Sequence, residues 1–481
     1  MTPETTAAPA SVADALEPWA ASELVDSDGA TAALVAALDA DRSLPAVWLT
    51  LSVLERGLPT DAEVRSAHRV LGGRGSAALV AQLATDAASA RRRHSRVDLV
   101  RSAVVVDVRH TAETDLATGI QRVARETVKR WHAHHDIVLV TWTADGRSMR
   151  RLLPDEKATA LHAAAPIHGS TAAADAVIVV PVGGTYLLPE LAAEPWRTER
   201  VAALAEYGGL TTGVIGFDCV PLTTAETVGE GMPGAFARNL VAVSRMDRVG
   251  AISDAAAEEY AGWRRMLSGS GVKGPDVASV LLAAEAGSST DADAREFADL
   301  VGLGDDPLVL VVGSHEPRKN HLAVLQAAEL AWREGLAFQL VFVGGNSWNS
   351  FGFTDTLAAL KKNDRNVATV SALPDRLLWA AYRLSRFTIF PSINEGFGLP
   401  VAESLASGTP VITSRYGSMN QIGLAGGTVV VDPRDDHDLL RGMRSMIADP
   451  ALYERLRAEA SAYTVRPWDA YASDLWDYFV D

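Results

Sequence analysis

Residues 387–403 read FTIFPSINEGFGLPVAE. The opening β-branched and aromatic run has strand character and leads into a loop. Gly396 and Gly398 let the backbone of that loop come close to a ligand, and Pro400 suits the first turn of a following helix. Glu395 lies in the loop and Glu403 about one turn into the helix, so both carboxylates can reach one crevice. A carboxylate accepts paired hydrogen bonds from vicinal hydroxyls, which suits one glutamate to a ribose and the other to a hexose. The bland alternative for Glu403 is an acid stabilised by the helix dipole.

Residues 308–321, LVLVVGSHEPRKNH, repeat the plan. A buried strand ends at Gly313, a helix starts near Asn320, and Arg318 and Lys319 stand at its mouth. A helix N-terminus already favours anions, so two added cations make a diphosphate the natural guest. The bland alternative is a pair of solvated surface charges.

Outward from these two segments the chain alternates short apolar runs with helical stretches, the rhythm of a parallel sheet with crossover helices. One series holds 308–312, 340–343, 368–370, 387–390, 410–413 and 428–431. An earlier series begins at 103–107 (AVVVD), passes a loop with Gly119 and the segment QRVARETVKRWH, and continues at 137–140, 177–182, 213–215 and 249–252. The Gly/Ser/Asp-rich stretch 287–293 reads as the linker between the two series. Residues up to about Ser95 read as helices only. Thr60 and Glu63 form a capping-box signature there, and Gly72 and Gly73 supply the expected stop. The expected divisions are a helical extension (1–97), an amino-terminal Rossmann-like domain (98–285), a carboxyl-terminal one (286–465), and a last helix (466–481) free to cross back to the amino-terminal domain.

Composition sets the outer bounds. The chain has 481 residues, 48% apolar and 22% charged, enough for about three ordinary globular domains. A net charge of −16 argues against a nucleic-acid partner and leaves at most peripheral contact with a membrane. The single cysteine, Cys219, excludes an intrachain disulfide framework and any multi-cysteine metal site. The first ten residues lack a basic and then apolar leader, so the expected setting is cytoplasmic.

Taken together, GSHEPRKNH and NEGFGLPVAESLASGTPVI resemble the donor-site signature of GT-B glycosyltransferases, specifically the retaining enzymes of family 4. The resemblance is strong over about 307–433, weaker over 103–260, and absent from the first hundred residues. It implies an α/β fold of two Rossmann-like domains facing a central cleft, the amino-terminal one (98–285) for the acceptor and the carboxyl-terminal one (286–465) for the nucleotide-sugar donor, with the helical extension added. It implies that Arg318 and Lys319 hold the donor diphosphate, Glu403 the ribose and Glu395 the sugar hydroxyls. The Phe397, Gly398 and Leu399 amides would lie near phosphate and sugar, with Gly119, Gly313 and Gly396 lining the donor site. GFDCVPL (216–222) is similar to the family's histidine-aspartate segment, but Phe217 stands where many relatives carry histidine. Asp218 is therefore the better catalytic candidate. Thr118-Gly119-Ile120-Gln121-Arg122 resembles the family's glycine loop with one glycine where many relatives have two, and DRVGAIS (247–253) its strand towards the linker. Ser418-Met419-Asn420-Gln421 departs from the usual serine-x-proline-glutamate.

The expected activity is metal-independent transfer of a hexose, with net retention, from a nucleoside-diphosphate sugar to an acceptor hydroxyl of a glycan, glycolipid or small molecule. The EPRKN form leans to GDP-mannose, with UDP-sugars close behind. No cofactor or metal is expected. The alternatives are a nucleotide-sugar epimerase of the same architecture and a non-catalytic sugar-nucleotide-binding scaffold. The pairs Asp26/Asp28, Asp39/Asp41, Asp291/Asp293 and Asp436/Asp438 do not closely follow strands, which argues against metal roles. The run from Arg91 to Arg96 reads as a solvated linker, and His132, His134 and His135 as surface residues at a helix end. Cys219 reads as a small core residue. The apolar faces of the extension must be buried somewhere, on the next domain or in a homo-oligomer.

Overall fold

A computed structural model of the chain describes residues 11–21, 28–89, 96–114, 119–165 and 177–481. Asp26, the arginines at 91–93 and Thr118 lie outside them.

Two α/β domains stand in sequence. The first is built on β1 (Val97–Asp107), β2 (Ile137–Trp142), β3 (Met149–Arg151), β4 (Ile178–Leu188), β5 (Thr211–Gly216), β6 (Arg248–Ala251) and β7 (Asp276–Ser279). β1 pairs in parallel with both β2 and β4, and the sheet continues through β5, β6 and β7. The short β3 runs antiparallel and joins β2 to the start of β4. The second domain carries β8 (Leu308–Val312), β9 (Gln339–Val343), β10 (Val367–Val370), β11 (Phe387–Phe390), β12 (Val411–Ser414) and β13 (Thr428–Val431). They form one parallel sheet in the order β10-β9-β8-β11-β12-β13. Helices cover both faces, so Leu308 to Val311, Leu340 to Phe342 and Phe387 to Phe390 are buried throughout and read as unbroken apolar runs. In each sheet the strand order reverses beside the first strand, between β1 and β4 and between β8 and β11. The architecture is that of GT-B.

Three local expectations need correction. β3 and β7 had no readable apolar run, because one is three residues long and the other is a half-covered edge. The stretch taken as a linker is helical from Asp291: Thr290 and Asp293 form a capping box that starts the helix Asp291–Val301. Gly72 and Gly73 do not stop their helix, which runs to Arg74 and ends at Gly75 with φ +83°.

The described part of the extension is helical, and its apolar faces are covered by the first domain. Ser43 and Pro45 start the helix Leu44–Leu54, and Thr60 and Glu63 cap the next one reciprocally. Val47, Trp48, Leu51 and Leu54 share one continuous core with Val105, Val140, Tyr186, Val201 and Leu204. Polar ties reinforce the seam: Ser148 Oγ donates to the Arg56 carbonyl at 2.7 Å, Arg200 to the Leu58 carbonyl, and Tyr207 to Asp61. Burial of each large apolar side chain contributes about 1.5–3 kcal/mol. A chain truncated to begin at Arg96 is therefore expected to aggregate or to melt well below the full chain. A truncated chain that elutes as one sharp species and melts with the parent would show that this seam contributes little.

The last helix, Trp468–Val480, returns to the first domain. Leu475 and Phe479 sit so close to Gly213 and Gly250 that a Cβ on Gly250 would lie 2.4 Å from Leu475. Trp131 Nε1 donates to the Ala472 carbonyl at 2.8 Å, and His135 stacks on Trp476 with centroids 3.7 Å apart. His135 is thus a packing residue rather than the free surface residue its helix-end position suggested. Among the described residues, no helix is long and apolar enough to cross a membrane.

Candidate active site

The loops after β8 and β11 meet where the second sheet reverses. Gly313 turns the chain out of β8 with φ +140°, and the Lys319 stem passes where a β-carbon would point. Residues 317–319 form one 3-10 turn, and Asn320, in the left-handed region at φ 59°, leads into the helix His321–Arg333. Asn320 is held there by donating to the Pro433 carbonyl at 2.6 Å.

Arg318 and Lys319 are not solvated surface charges. Both converge on Glu395, Arg318 Nη1 to Oε2 and Lys319 Nζ to Oε1, each at 2.5 Å. Arg318 also donates to Glu316 and to the Asn394 carbonyl, Ser392 Oγ donates to Glu395 at 2.7 Å, and Lys319 Nζ lies 4.8 Å from the Phe390 ring centroid. Burial alone would push the Glu395 carboxyl up, but the two cations hold it well below the usual carboxylate range. Burial pulls the Lys319 ammonium down from its ordinary value against the opposing pull of Glu395. Arg318 stays charged, because the surrounding carboxylates outweigh its desolvation.

Glu403, in the helix Leu399–Ala406, lies apart from that cluster. Its side chain is 5% exposed and takes a hydrogen bond from Tyr382 Oη at 3.0 Å and an ion pair from Arg122. Arg122 belongs to the first turn of Gly119–His134 in the other domain, so this contact spans the cleft. Gly119 itself is exposed and uncrowded among the described residues. The sequence reading placed Arg122 in the glycine-loop segment but gave it no partner, since nothing local marks a carboxylate 281 positions away.

The 394–398 loop is pressed against the first domain. A β-carbon on Gly396 would stand 2.2 Å from the Phe217 carbonyl and 3.1 Å from Asp218 Oδ2. That glycine, read as clearance for a ligand, therefore clears the facing domain. Ser253 Oγ donates to the Gly396 carbonyl at 2.5 Å, and Asn394 Nδ2 to Thr223 at 3.0 Å and Glu259 at 3.2 Å. Phe397 is buried, and Gly398 at φ +92° opens the helix that Leu399 begins. Asp218 shares this junction: burial raises its carboxyl to about 6, Arg318 lowers it, and Glu395 and Glu259 push it up. Cys219 is buried beside it, its thiol raised by burial.

The unusual Ser418–Gln421 segment is used at the same junction. Ser418 Oγ donates to the Glu395 carbonyl at 2.8 Å, and Gln421 Nε2 donates to Asp254 across the cleft at 2.6 Å. A glutamate at 421 would face Asp254 with like charge, whereas the amide donates to it. Four of the Asp-x-Asp carboxylates make local hydrogen bonds and ion pairs. Asp39 accepts from Ser76 and Arg42, Asp41 from the Ser43 amide, and Asp293 caps its helix. Asp438 holds Arg415, Arg441 and the Asp432 amide.

Comparison with known proteins adds to this geometry. Residues 294–463 match the family model described as glycosyl transferases group 1. Serotype-specific mannosyltransferase WbdA of Escherichia coli is 28% identical over 335 residues, covering 67% of this chain and 38% of that protein. D-inositol 3-phosphate glycosyltransferase of Rhodococcus opacus is 32% identical over 188 residues, 37% of this chain and 42% of the other. The matches therefore span less than half the length of these relatives. Sucrose-phosphate synthase from Thermosynechococcus elongatus superposes over 78% of this chain and 98% of its own, with a TM-score of 0.50 and 18% identity.

Proposed function

From a GT-B fold whose carboxyl-terminal domain carries the group 1 glycosyl transferase signature, we propose that the chain is a retaining hexosyltransferase, metal-independent and fed by a nucleoside-diphosphate sugar. The observation that carries the reading is the convergence of Arg318 and Lys319 on one carboxylate at the reversal between β8 and β11. Ligands of open parallel sheets bind at that reversal, outside the carboxyl ends of the strands. Two cations preorganised there stabilise charge on a departing diphosphate, with Glu395 released to the hydroxyls of the sugar. The leaving phosphate oxygen takes the proton of the acceptor hydroxyl on the same face, so the bond to the anomeric carbon is replaced with retention and no protein base is needed. Glu403 suits the ribose. The names of the WbdA relatives and the EPRKN form favour mannose as the sugar and GDP as the carrier.

A thermal-shift panel of GDP, UDP, ADP and dTDP identifies the carrier. Incubation with the matching nucleotide sugar then tests the reaction. Release of free nucleoside diphosphate that depends on an acceptor supports transfer, and an isomerised donor would make the protein an epimerase instead.

Turnover is expected to survive exhaustive EDTA treatment, because Arg318 and Lys319 take the place of a divalent ion. Complete loss restored by manganese would overturn that account.

Asp218 gives the pH dependence. Its carboxyl is raised to about 6, so below that pH the neutral acid predominates and cannot accept from a sugar hydroxyl as a carboxylate does. Turnover should fall on the acid side with an apparent pKa near 6, and Asp218→Asn should remove that limb while lowering the plateau. The sign for stability is opposite. The folded state holds this proton more tightly than the unfolded one, so stability from this group declines as pH rises from about 4 to 6. An acid limb left intact in Asp218→Asn would assign it to another group.

A further inference from the structure

Glu403, the carboxylate that suits the ribose, is already engaged. Its Oε2 accepts from Tyr382 Oη at 3.0 Å and its Oε1 from Arg122 Nη1. Tyr382 is buried and belongs, like Glu403, to the second domain. Arg122 reaches over from the first domain, where it is 33% exposed against 5% for Glu403. Its guanidinium also lies 5.9 Å from the ring centroid of the buried Trp379, so the whole end of this side chain rests on the donor domain. Among the described residues, no other side chain of the first domain bonds to Glu403. Arg122 is thus the cover that this carboxylate has on the cleft side.

Other buried or bridging contacts have no such position. Arg197 donates to Asp107 at 2.9 Å and to Glu190 at 2.7 Å beside the β1–β4 reversal, but all three belong to the first domain and hold its core. Gln421 to Asp254 at 2.6 Å and Trp348 Nε1 to the Thr227 carbonyl at 3.0 Å do cross the cleft, yet they join groups to which the donor reading gives no ligand. The Arg122 contact both crosses the cleft and lands on a carboxylate that the donor needs.

We propose that Arg122 and the donor ribose compete for Glu403, so that Arg122 is a latch between the domains which nucleotide binding has to release. A carboxylate has lone pairs for more than two donors, so the conflict is one of access rather than of bonding capacity. With 5% of its side chain exposed and a guanidinium across the cleft side, Glu403 has no open face for two vicinal hydroxyls. Entry of the ribose exchanges a charge-assisted hydrogen bond for bonds from hydroxyls, and the guanidinium moves off into a cleft that now holds the negative diphosphate. The exchange makes the hydroxyls contribute little net affinity, because their gain is offset by what Arg122 gives up. In return the empty cleft stays shut, and its opening at this contact is tied to the arrival of a ribose.

The inference rests on the transferase reading, and the experiment separates the two. Calorimetry on the full chain compares GDP with 2′,3′-dideoxy-GDP, and UDP with 2′,3′-dideoxy-UDP. The affinity ratio within a pair isolates the hydroxyls, since attraction between Arg122 and the diphosphate is common to both members. In Arg122→Gln that ratio should rise about tenfold over the parent's, the size of one charge-assisted hydrogen bond. Arg122→Met, which keeps an apolar stem against Trp379 without the charge, carries the same expectation if the glutamine variant folds poorly. Adding Glu403→Gln to either variant should bring the ratio back towards the parent's, which locates the gain on that carboxylate. A ratio equal to the parent's in a folded Arg122 variant would overturn the latch, and a lower ratio would make Arg122 a ligand of the ribose instead. Failure of both GDP and UDP to bind the parent would count against the transferase reading itself.

Discussion

Lys319→Ala is expected to lower kcat/KM for the donor by about 30- to 1000-fold, some 2–4 kcal/mol of transition-state stabilisation. The size follows from where the ammonium sits. It is 11% exposed and 2.5 Å from a carboxylate that the donor has to displace. In that low-dielectric setting a charge acts more strongly on a developing phosphate anion than it would in water. Folding should suffer less than loss of a buried ion-pair partner ordinarily costs, because Arg318 and Ser392 still hold Glu395. Steady-state kinetics and a melting curve of the same preparation check both halves. If the variant turns over within threefold of the parent, Lys319 is not the diphosphate cation. If it fails to fold, Lys319→Gln, which keeps a hydrogen-bond donor beside Glu395 without the charge, separates stability from catalysis.

What could be read from sequence, and what could not, follows from the range of the forces involved. The strand-loop-helix segments at 308–321 and 387–403 were legible because a strand covered on both faces must be apolar throughout, and the loop residues are set by local backbone geometry. The convergence of Arg318, Lys319 and Glu395 followed from the reversal between β8 and β11, a property of topology rather than of neighbours in sequence. The pairing of Arg122 and Tyr382 with Glu403 left no trace, since one comes from the other domain and the other from a separate helix. Gly396 was singled out for a sound reason, its missing side chain, but the object it makes room for is the Phe217 carbonyl, which only the docking of two domains supplies. The cluster at the β1–β4 reversal was unreadable for the same reason. Asp107, Glu190 and Arg197 are ordinary charges until three elements bring them within hydrogen-bonding distance.

That cluster gives the largest expected effect on stability. Arg197→Ala should destabilise the amino-terminal domain by about 3–5 kcal/mol, the usual result of leaving buried charges without their partner. Asp107 and Glu190 would then lie buried without the guanidinium between them. Among the described residues, Asp107 would keep the hydrogen bonds from Trp142 at 2.7 Å and Tyr186 at 2.8 Å, together with its contact to the Arg109 amide. Arg333→Ala, which breaks an ion pair whose arginine is 68% exposed, is the matched control and should change stability by no more than about 0.5 kcal/mol. Urea unfolding followed by tryptophan fluorescence reads the difference, since Trp142 donates to Asp107 and is among the tryptophans of the amino-terminal domain. Equal midpoints for Arg197→Ala and Arg333→Ala would mean that the two buried carboxylates find other compensation.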